Sequence, residues 1–134
     1  MRVVTCLLQE HDLWFVLLSV LMCGVGAAVS TTLFQRTLNE QGSSRLLWCF
    51  LSAVTAGAST WATHFIAMLS FSPGIAIGYL PGPTISSLFV AVGDTTLGFF
   101  LATLNRSMAW RALAGGLVGI GISTMHFTGM AGFE

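Results

Sequence analysis

The pattern His-Phe-x-x-Met occurs twice in this sequence, as His64-Phe65-Ile66-Ala67-Met68 and as His126-Phe127-Thr128-Gly129-Met130. Residues four apart on a helix share a face, so each copy presents an imidazole and a thioether together. These are borderline-to-soft ligands, and thioethers hold Cu(I) well but Mg, Ca or Zn poorly. The pairs His64 with Met68 and His126 with Met130 therefore point to copper before zinc. Met125 lies about 100° around the helix from His126, and it joins the set only if the two helices cross at that level. A haem held by two axial histidines would leave the methionines unexplained. There is no glycine-rich phosphate loop between strand and helix. The three cysteines, Cys6, Cys23 and Cys49, lack C-x-x-C spacing and read as small apolar residues.

The elements that must position these ligands are membrane spans. Of the 134 residues, 54% are hydrophobic and only 7% charged, and the mean hydropathy is +0.83. A soluble domain carries about 25% charged residues, so this chain reads as a polytopic membrane protein. Its net charge of zero argues against an electrostatic nucleic-acid binder, which would need a basic patch. Crossing a bilayer takes about 20 apolar residues, and four segments qualify: Leu13 to Phe34, Leu46 to Leu69, Thr84 to Leu104, and Ala112 to Gly132. None contains an internal proline, and Pro73, Pro81 and Pro83 are expected in the second loop. The fold expected is all-α, a four-span transmembrane bundle.

Loop one, Gln35 to Arg45, holds Arg36 and Arg45, and loop three, Asn105 to Arg111, holds Arg106 and Arg111. Loop two, Ser70 to Pro83, holds no charge. The positive-inside rule then puts loops one and three in the cytoplasm and the N-terminus outside, although Arg2 opposes this. Small residues at Ala27, Ala28 and Ser30 offer a weak signal-peptide cleavage site. Glu10 and Asp12 ahead of the apolar run, and its length, favour a retained span. Both histidine motifs fall at the outer ends of spans two and four. His64 lies about five residues, or roughly 7–8 Å, inside the boundary.

Superposing His64 on His126 reveals an internal repeat. Trp48 meets Trp110, Leu51 meets Leu113, Gly57 meets Gly119, Phe65 meets Phe127, and Met68 meets Met130. The unit is two spans long, so both copies keep the same orientation, which makes this a parallel repeat. Gly115 with Gly119 and Ala53 with Gly57 match the small-x-x-x-small spacing of close helix contacts, although membrane helices are rich in glycine in any case.

Around the histidines lie Ser59, Thr60 and Thr63, and Ser123, Thr124 and Thr128. Such hydroxyls could orient ligating imidazoles, or they could bond their own helix backbone. Asp94 is the one acid within a span. It is either a proton acceptor or counter-ion, or an acid paired with the hydroxyls of Thr95 and Thr96. His11, between Glu10 and Asp12, could approach the site but fits better as a solvated residue.

The segments Trp61-Ala62-Thr63-His64-Phe65-Ile66-Ala67-Met68 and Met125-His126-Phe127-Thr128-Gly129-Met130 resemble the signature of the MHYT domain, a bacterial integral-membrane sensor domain named for Met-His-Tyr-Thr. Glu10-His11-Asp12-Leu13, leading into span one, is also similar, and Phe127 stands where the family has tyrosine. The resemblance covers nearly the whole chain. It implies copper near the outer face, held by His64, Met68, Met125, His126 and Met130. It also implies sensing of oxygen, carbon monoxide or nitric oxide from the bacterial inner membrane. In the family a C-terminal output domain usually follows, either the GGDEF and EAL modules of cyclic di-GMP turnover or a histidine kinase. The family usually carries three motif copies and six or seven spans. Two copies here imply a truncated input portion, or a shortened relative that builds its site from two copies or by self-association.

The sequence is thus expected to encode a sensory input module rather than an enzyme, since no residues are arranged for catalysis. The alternatives are a metal-handling transporter or channel subunit, with His64, Met68, Asp94 and His126 lining a path, and a structural subunit without ligand.

Overall fold

The computed structural model describes residues 4–5, 12–70 and 78–132. Four long helices make up the fold: α1 (Leu13–Asn39), α2 (Gly42–Ser70), α3 (Pro81–Leu104) and α4 (Met108–Met130). All four are long and apolar enough to cross a membrane. They pack in chain order, α1 on α2, α2 on α3 and α3 on α4, and α2 also meets α4.

The burial pattern is the reverse of a soluble domain's. Large side chains such as Leu17, Leu21, Val25, Phe89 and Ile120 point outward, whereas Ala53, Ala91, Ala114, Ser30, Ser52, Ser87 and Thr95 are buried. Lipid tails are as apolar as leucine, so burying large side chains gains little there, and small residues let backbones approach. Between α1 and α2, Ser30 Oγ donates to the Ser52 carbonyl at 3.0 Å and Ser52 Oγ donates back to the Ser30 carbonyl at 2.9 Å. Gly26 sits against Ser59 in the same contact. Gly57 lies against the backbone of α3 so closely that a Cβ there would meet the Ala91 carbonyl at 2.8 Å and the Val92 Cα at 2.9 Å.

The sequence repeat becomes a repeat of contacts. Gly26 with Ser59 on α1 and α2 corresponds to Asp94 with Gly121 on α3 and α4. The Ser30–Ser52 pair corresponds to Gly98 against Ala114. Ser19 Oγ donates to Val16 O, as Ser87 Oγ donates to Thr84 O. The offset that relates α1 to α3 in these contacts is 68, against 62 for α2 and α4. The first hairpin therefore carries six more residues between its equivalent points, and they lengthen its helices rather than its turn.

Both hairpins are tied at the motif end. Asp12 N donates to the Ser70 carbonyl and Leu80 N to the Gly132 carbonyl, each at 2.8 Å. These bonds join the start of α1 to the end of α2, and the start of α3 to the end of α4. The opposite end gathers Arg36, Arg45, Arg106 and Arg111. There the Arg36 guanidinium lies 4.7 Å from the Trp48 ring centroid, and Trp110 Nε1 donates to Leu101 O at 2.6 Å.

Several boundaries differ from those read in the sequence. Helix α1 runs on to Asn39 and α2 starts at Gly42, so Arg36 and Arg45 are helical rather than loop residues. A span's helix can continue past its apolar stretch into polar residues, and Gln35, Arg36, Leu38 and Arg45 are good helix formers there. The tight turn that results uses Gly42 at φ +63°, where a Cβ would be strained. Pro81 and Pro83 belong to the first turn of α3, not to a loop. At that position proline's missing N–H would have been unsatisfied anyway, and its φ already suits a helix. Pro73 lies outside the described residues.

Gly115 and Gly119 have open space around them, and the close glycines of the second hairpin are Gly98 and Gly121. Repeat-equivalent glycines thus differ: Gly57 is clamped and Gly119 is not. Placing alanine at each separates them. Gly57→Ala should lower the thermal unfolding midpoint in detergent, at a cost of about 1–3 kcal/mol for forced overpacking, while Gly119→Ala should leave it unchanged or higher. Equal effects at the two positions would sink this assignment of the packing.

Candidate metal centre

His64 sits six residues before the end of α2 and His126 four before the end of α4. Because both helices run toward the same end of the bundle, the two imidazoles reach the same depth. Their ring centroids are 4.8 Å apart, with the planes at 76°. His64 Nε2 is buried and has no hydrogen-bond partner among the described residues, and the same holds for Thr63 Oγ1. Leaving such a group unpaired costs about 1–3 kcal/mol. In the tautomer that leaves Nε2 unprotonated, a lone pair left bare beside a second imidazole suits a ligand atom better than a packing group.

The methionines are placed in two ways. Met68 and Met130 stand one turn beyond their histidines and are half-buried. Met125 is turned fully inward, at 1% exposure. Among the described residues no three His, Cys, Asp or Glu side chains cluster, so the donors that meet at this level are the two imidazoles, with the thioethers of Met68 and Met130 one helical turn beyond. That set suits a soft cation and gives a hard one little to bind.

The hydroxyls do not form the orienting shell that their positions suggested. Ser59 bonds to Thr55 O, Thr60 to Ala56 O, Ser123 to Gly119 O, Thr124 to Ile120 O and Thr128 to Thr124 O. Each thus returns to its own helix, as Ser and Thr commonly do. Thr63 is the exception. Thr95 and Thr96 likewise bond Ala91 O and Val92 O rather than Asp94. The Asp94 side chain instead rests against Gly121, five residues before His126 and so roughly 7.5 Å deeper along α4. His11 lies outside the described residues.

Phe65, whose ring meets that of His64 edge-on at 5.1 Å, belongs to an aromatic cluster that the motif alone did not announce. The Phe65 ring lies 4.9 Å from that of Trp61 and 5.7 Å from that of Tyr79. Gly129 makes room for it: a Cβ there would stand 3.0 Å from Phe65 Cζ. Trp61 Nε1 donates to Ser87 Oγ at 3.0 Å, which locks α2 to α3. Burial pushes the Tyr79 phenol above its ordinary pKa, so it stays neutral at physiological pH. The signal for this cluster was Trp61 one turn ahead of Phe65, which has only Ser123 opposite it in the second copy.

The two motif copies are consequently unequal. Phe65 is packed between helices, whereas Phe127 is 73% exposed. Phe65→Ala should destabilise the fold by about 1–3 kcal/mol, the worth of its aromatic contacts with Trp61 and Tyr79, and Phe127→Ala by no more than about 0.5 kcal/mol. Thermal or denaturant unfolding of the two variants, measured side by side, checks this, and a Phe127→Ala loss as large as that of Phe65→Ala would contradict it.

Comparison with known proteins agrees with the repeat and its motifs. The family model described as "Bacterial signalling protein N terminal repeat", MHYT, matches residues 57–116 and 119–134. An uncharacterized signaling protein of Caulobacter vibrioides is 39% identical over 98% of this chain. In Pseudomonas aeruginosa, the bifunctional diguanylate cyclase/cyclic di-GMP phosphodiesterase MucR is 32% identical over 93% of the chain. The cyclic di-GMP phosphodiesterase NbdA of the same organism is 34% identical over 87%. The chain spans only 16%, 18% and 15% of these relatives' own lengths, so most of each relative lies outside the match. No solved structure matches it. A two-span repeat carrying paired histidine motifs, matched by that model over more than half its length, places this chain in the MHYT family of bacterial signalling proteins.

Proposed function

We propose that this chain is a membrane-embedded sensory input domain that holds copper between its two histidine motifs. The observation that carries the reading is the meeting of His64 and His126, ring to ring at 4.8 Å, with His64 Nε2 buried and unpaired. The two imidazoles are the core ligands, and Met68, Met125 and Met130 supply thioether sulfur. Bound copper would offer a one-electron redox change and a coordination position open to oxygen, carbon monoxide or nitric oxide.

The chain's own residues would convert that event into movement. His64 belongs to α2 and His126 to α4, so any change in how the two imidazoles are held alters the spacing of those helices. Phe65, wedged against Gly129 and beside Trp61 and Tyr79, couples α2 to the second hairpin at the same level. A signal requires two packings with different ligand affinity, and a contact this dense favours discrete arrangements over gradual ones.

In this reading the motif end faces the outside and the end that carries four arginines faces the cytoplasm, as the positive-inside rule directs, with the inner membrane of a bacterium as the location. MucR and NbdA are named for cyclic di-GMP turnover. By that likeness, the domain's output is cyclic di-GMP synthesis or breakdown in a C-terminal domain beyond this chain.

The test is metal retention. Chain purified in detergent and loaded anaerobically with Cu(I) should keep copper through dialysis, and the oxidised sample should show nitrogen hyperfine splitting in its electron paramagnetic resonance spectrum. The double variant His64→Ala with His126→Ala should lose copper affinity by more than the roughly 100-fold that follows removal of an outer-shell partner. If the wild-type chain fails to keep copper, or the double variant keeps as much, the copper reading fails.

A further inference from the structure

A second site lies at the opposite end of the bundle. A cavity of about 520 Å³ opens there, and Arg45, Arg106 and Arg111 line it together with Asn105, Phe34 and Leu38. The cationic side chains come from three separate places, the first turn of α2, the α3–α4 connection and the first turn of α4. Arg45 is held across the cavity by a hydrogen bond from its Nη2 to the Thr103 carbonyl at the end of α3. Arg106 and Arg111 are exposed and make no side-chain hydrogen bond or ion pair among the described residues. Glu40 is the one described acid at this end, and it does not line the cavity.

Three guanidinium groups around one cavity repel each other, and Arg111 adds its charge to the positive end of the α4 dipole. An anion in the cavity would relieve both. Arginine forks bind phosphate oxygens with two parallel hydrogen bonds, more strongly than neutral partners do. The depth of the cavity identifies the carrier of that phosphate. The apolar runs of the four helices end at Phe34, Leu46, Leu104 and Ala112, so the arginines stand at the boundary between hydrocarbon and headgroups. Phe34 and Leu38 provide an apolar wall that a free phosphate would not need and that an acyl chain would cover. Basic pockets between helices at this level suit anionic headgroups.

We propose that this cavity binds the phosphodiester headgroup of an anionic membrane lipid, with Arg106 and Arg111 as the free donors and Arg45 as a fixed third. The shared chemistry is a phosphodiester monoanion, and a soluble phosphodiester is the competing source. The inference stands apart from the copper site.

Native mass spectrometry of the purified chain tests it, with phosphatidylglycerol and phosphatidylcholine of identical acyl chains added to the detergent. Phosphatidylglycerol should bind at least about tenfold more tightly, and the double variant Arg106→Gln with Arg111→Gln should remove that preference. Both side chains are exposed, and circular dichroism of the double variant checks that its helices persist. Arg36, which lies over Trp48 outside the cavity, is the control, and Arg36→Gln should keep the preference. Equal binding of the two lipids overturns the proposal. So does a preference lost as fully in Arg36→Gln, which would mean a diffuse basic rim. Displacement of phosphatidylglycerol by dimethyl phosphate at matching concentration would assign the site to a soluble anion and overturn the lipid as its source.

Discussion

Lipid presses helices together far less than water does, and it offers their polar groups nothing to bond with. Every contact in this bundle answers to that constraint. At the closest helix contacts one side is a glycine and the other is whatever can come close: Ser59 on Gly26, the α3 backbone on Gly57, Asp94 on Gly121. Hydroxyls return to their own helix or pair across a contact, as Ser30 does with Ser52. The large side chains are left for the lipid. Against this background the unpaired His64 Nε2 stands out, together with the hydroxyl of its neighbour Thr63.

The same constraint decides what could be read in advance. Span number, the shared orientation of the hairpins and the matching positions of His64 and His126 depend on hydropathy and on a repeat offset, and both are visible in one dimension. The inequality of Phe65 and Phe127 was not, because it depends on Gly129 and Ser87 arriving from another hairpin. Gly115 and Gly119 have the spacing of a close contact, yet spacing does not reveal which face a partner occupies. The clamped glycines turned out to be Gly98 and Gly121, at positions set by the α3–α4 crossing. Pro81 and Pro83 looked like loop residues because they follow an uncharged, proline-bearing stretch. The backbone places them where a helix begins. Helix ends are local matters of capping, and in this chain the helices run past their apolar stretches.

The architecture also separates two tasks by depth. Ties at the motif end, from Asp12 to Ser70 and from Leu80 to Gly132, fix each hairpin near the histidines. The arginine end is held by side chains instead, through Arg36 on Trp48, Arg45 on Thr103 and Trp110 on Leu101. Backbone ties are short and stiff, whereas long side chains can rearrange. A small change in spacing between α2 and α4 at the first end would thus meet a more compliant set of contacts at the second, a suitable arrangement for passing a signal across the bilayer.

The packing of Phe65 has one more consequence. The first hairpin offers a protruding ring, and the second receives it in a notch made by Gly129 and Ser87. Knob and notch are different surfaces, so the two hairpins are joined heterologously, head to tail, rather than by a self-complementary two-fold. Joining of this kind leaves the second hairpin's own ring, Phe127, without a receiving surface among the described residues. At the first-hairpin positions that correspond to the notch stand Ala67, which carries a Cβ where Gly129 has none, and Ser19, which is buried. The bundle is therefore polar around its circumference as well as across the membrane.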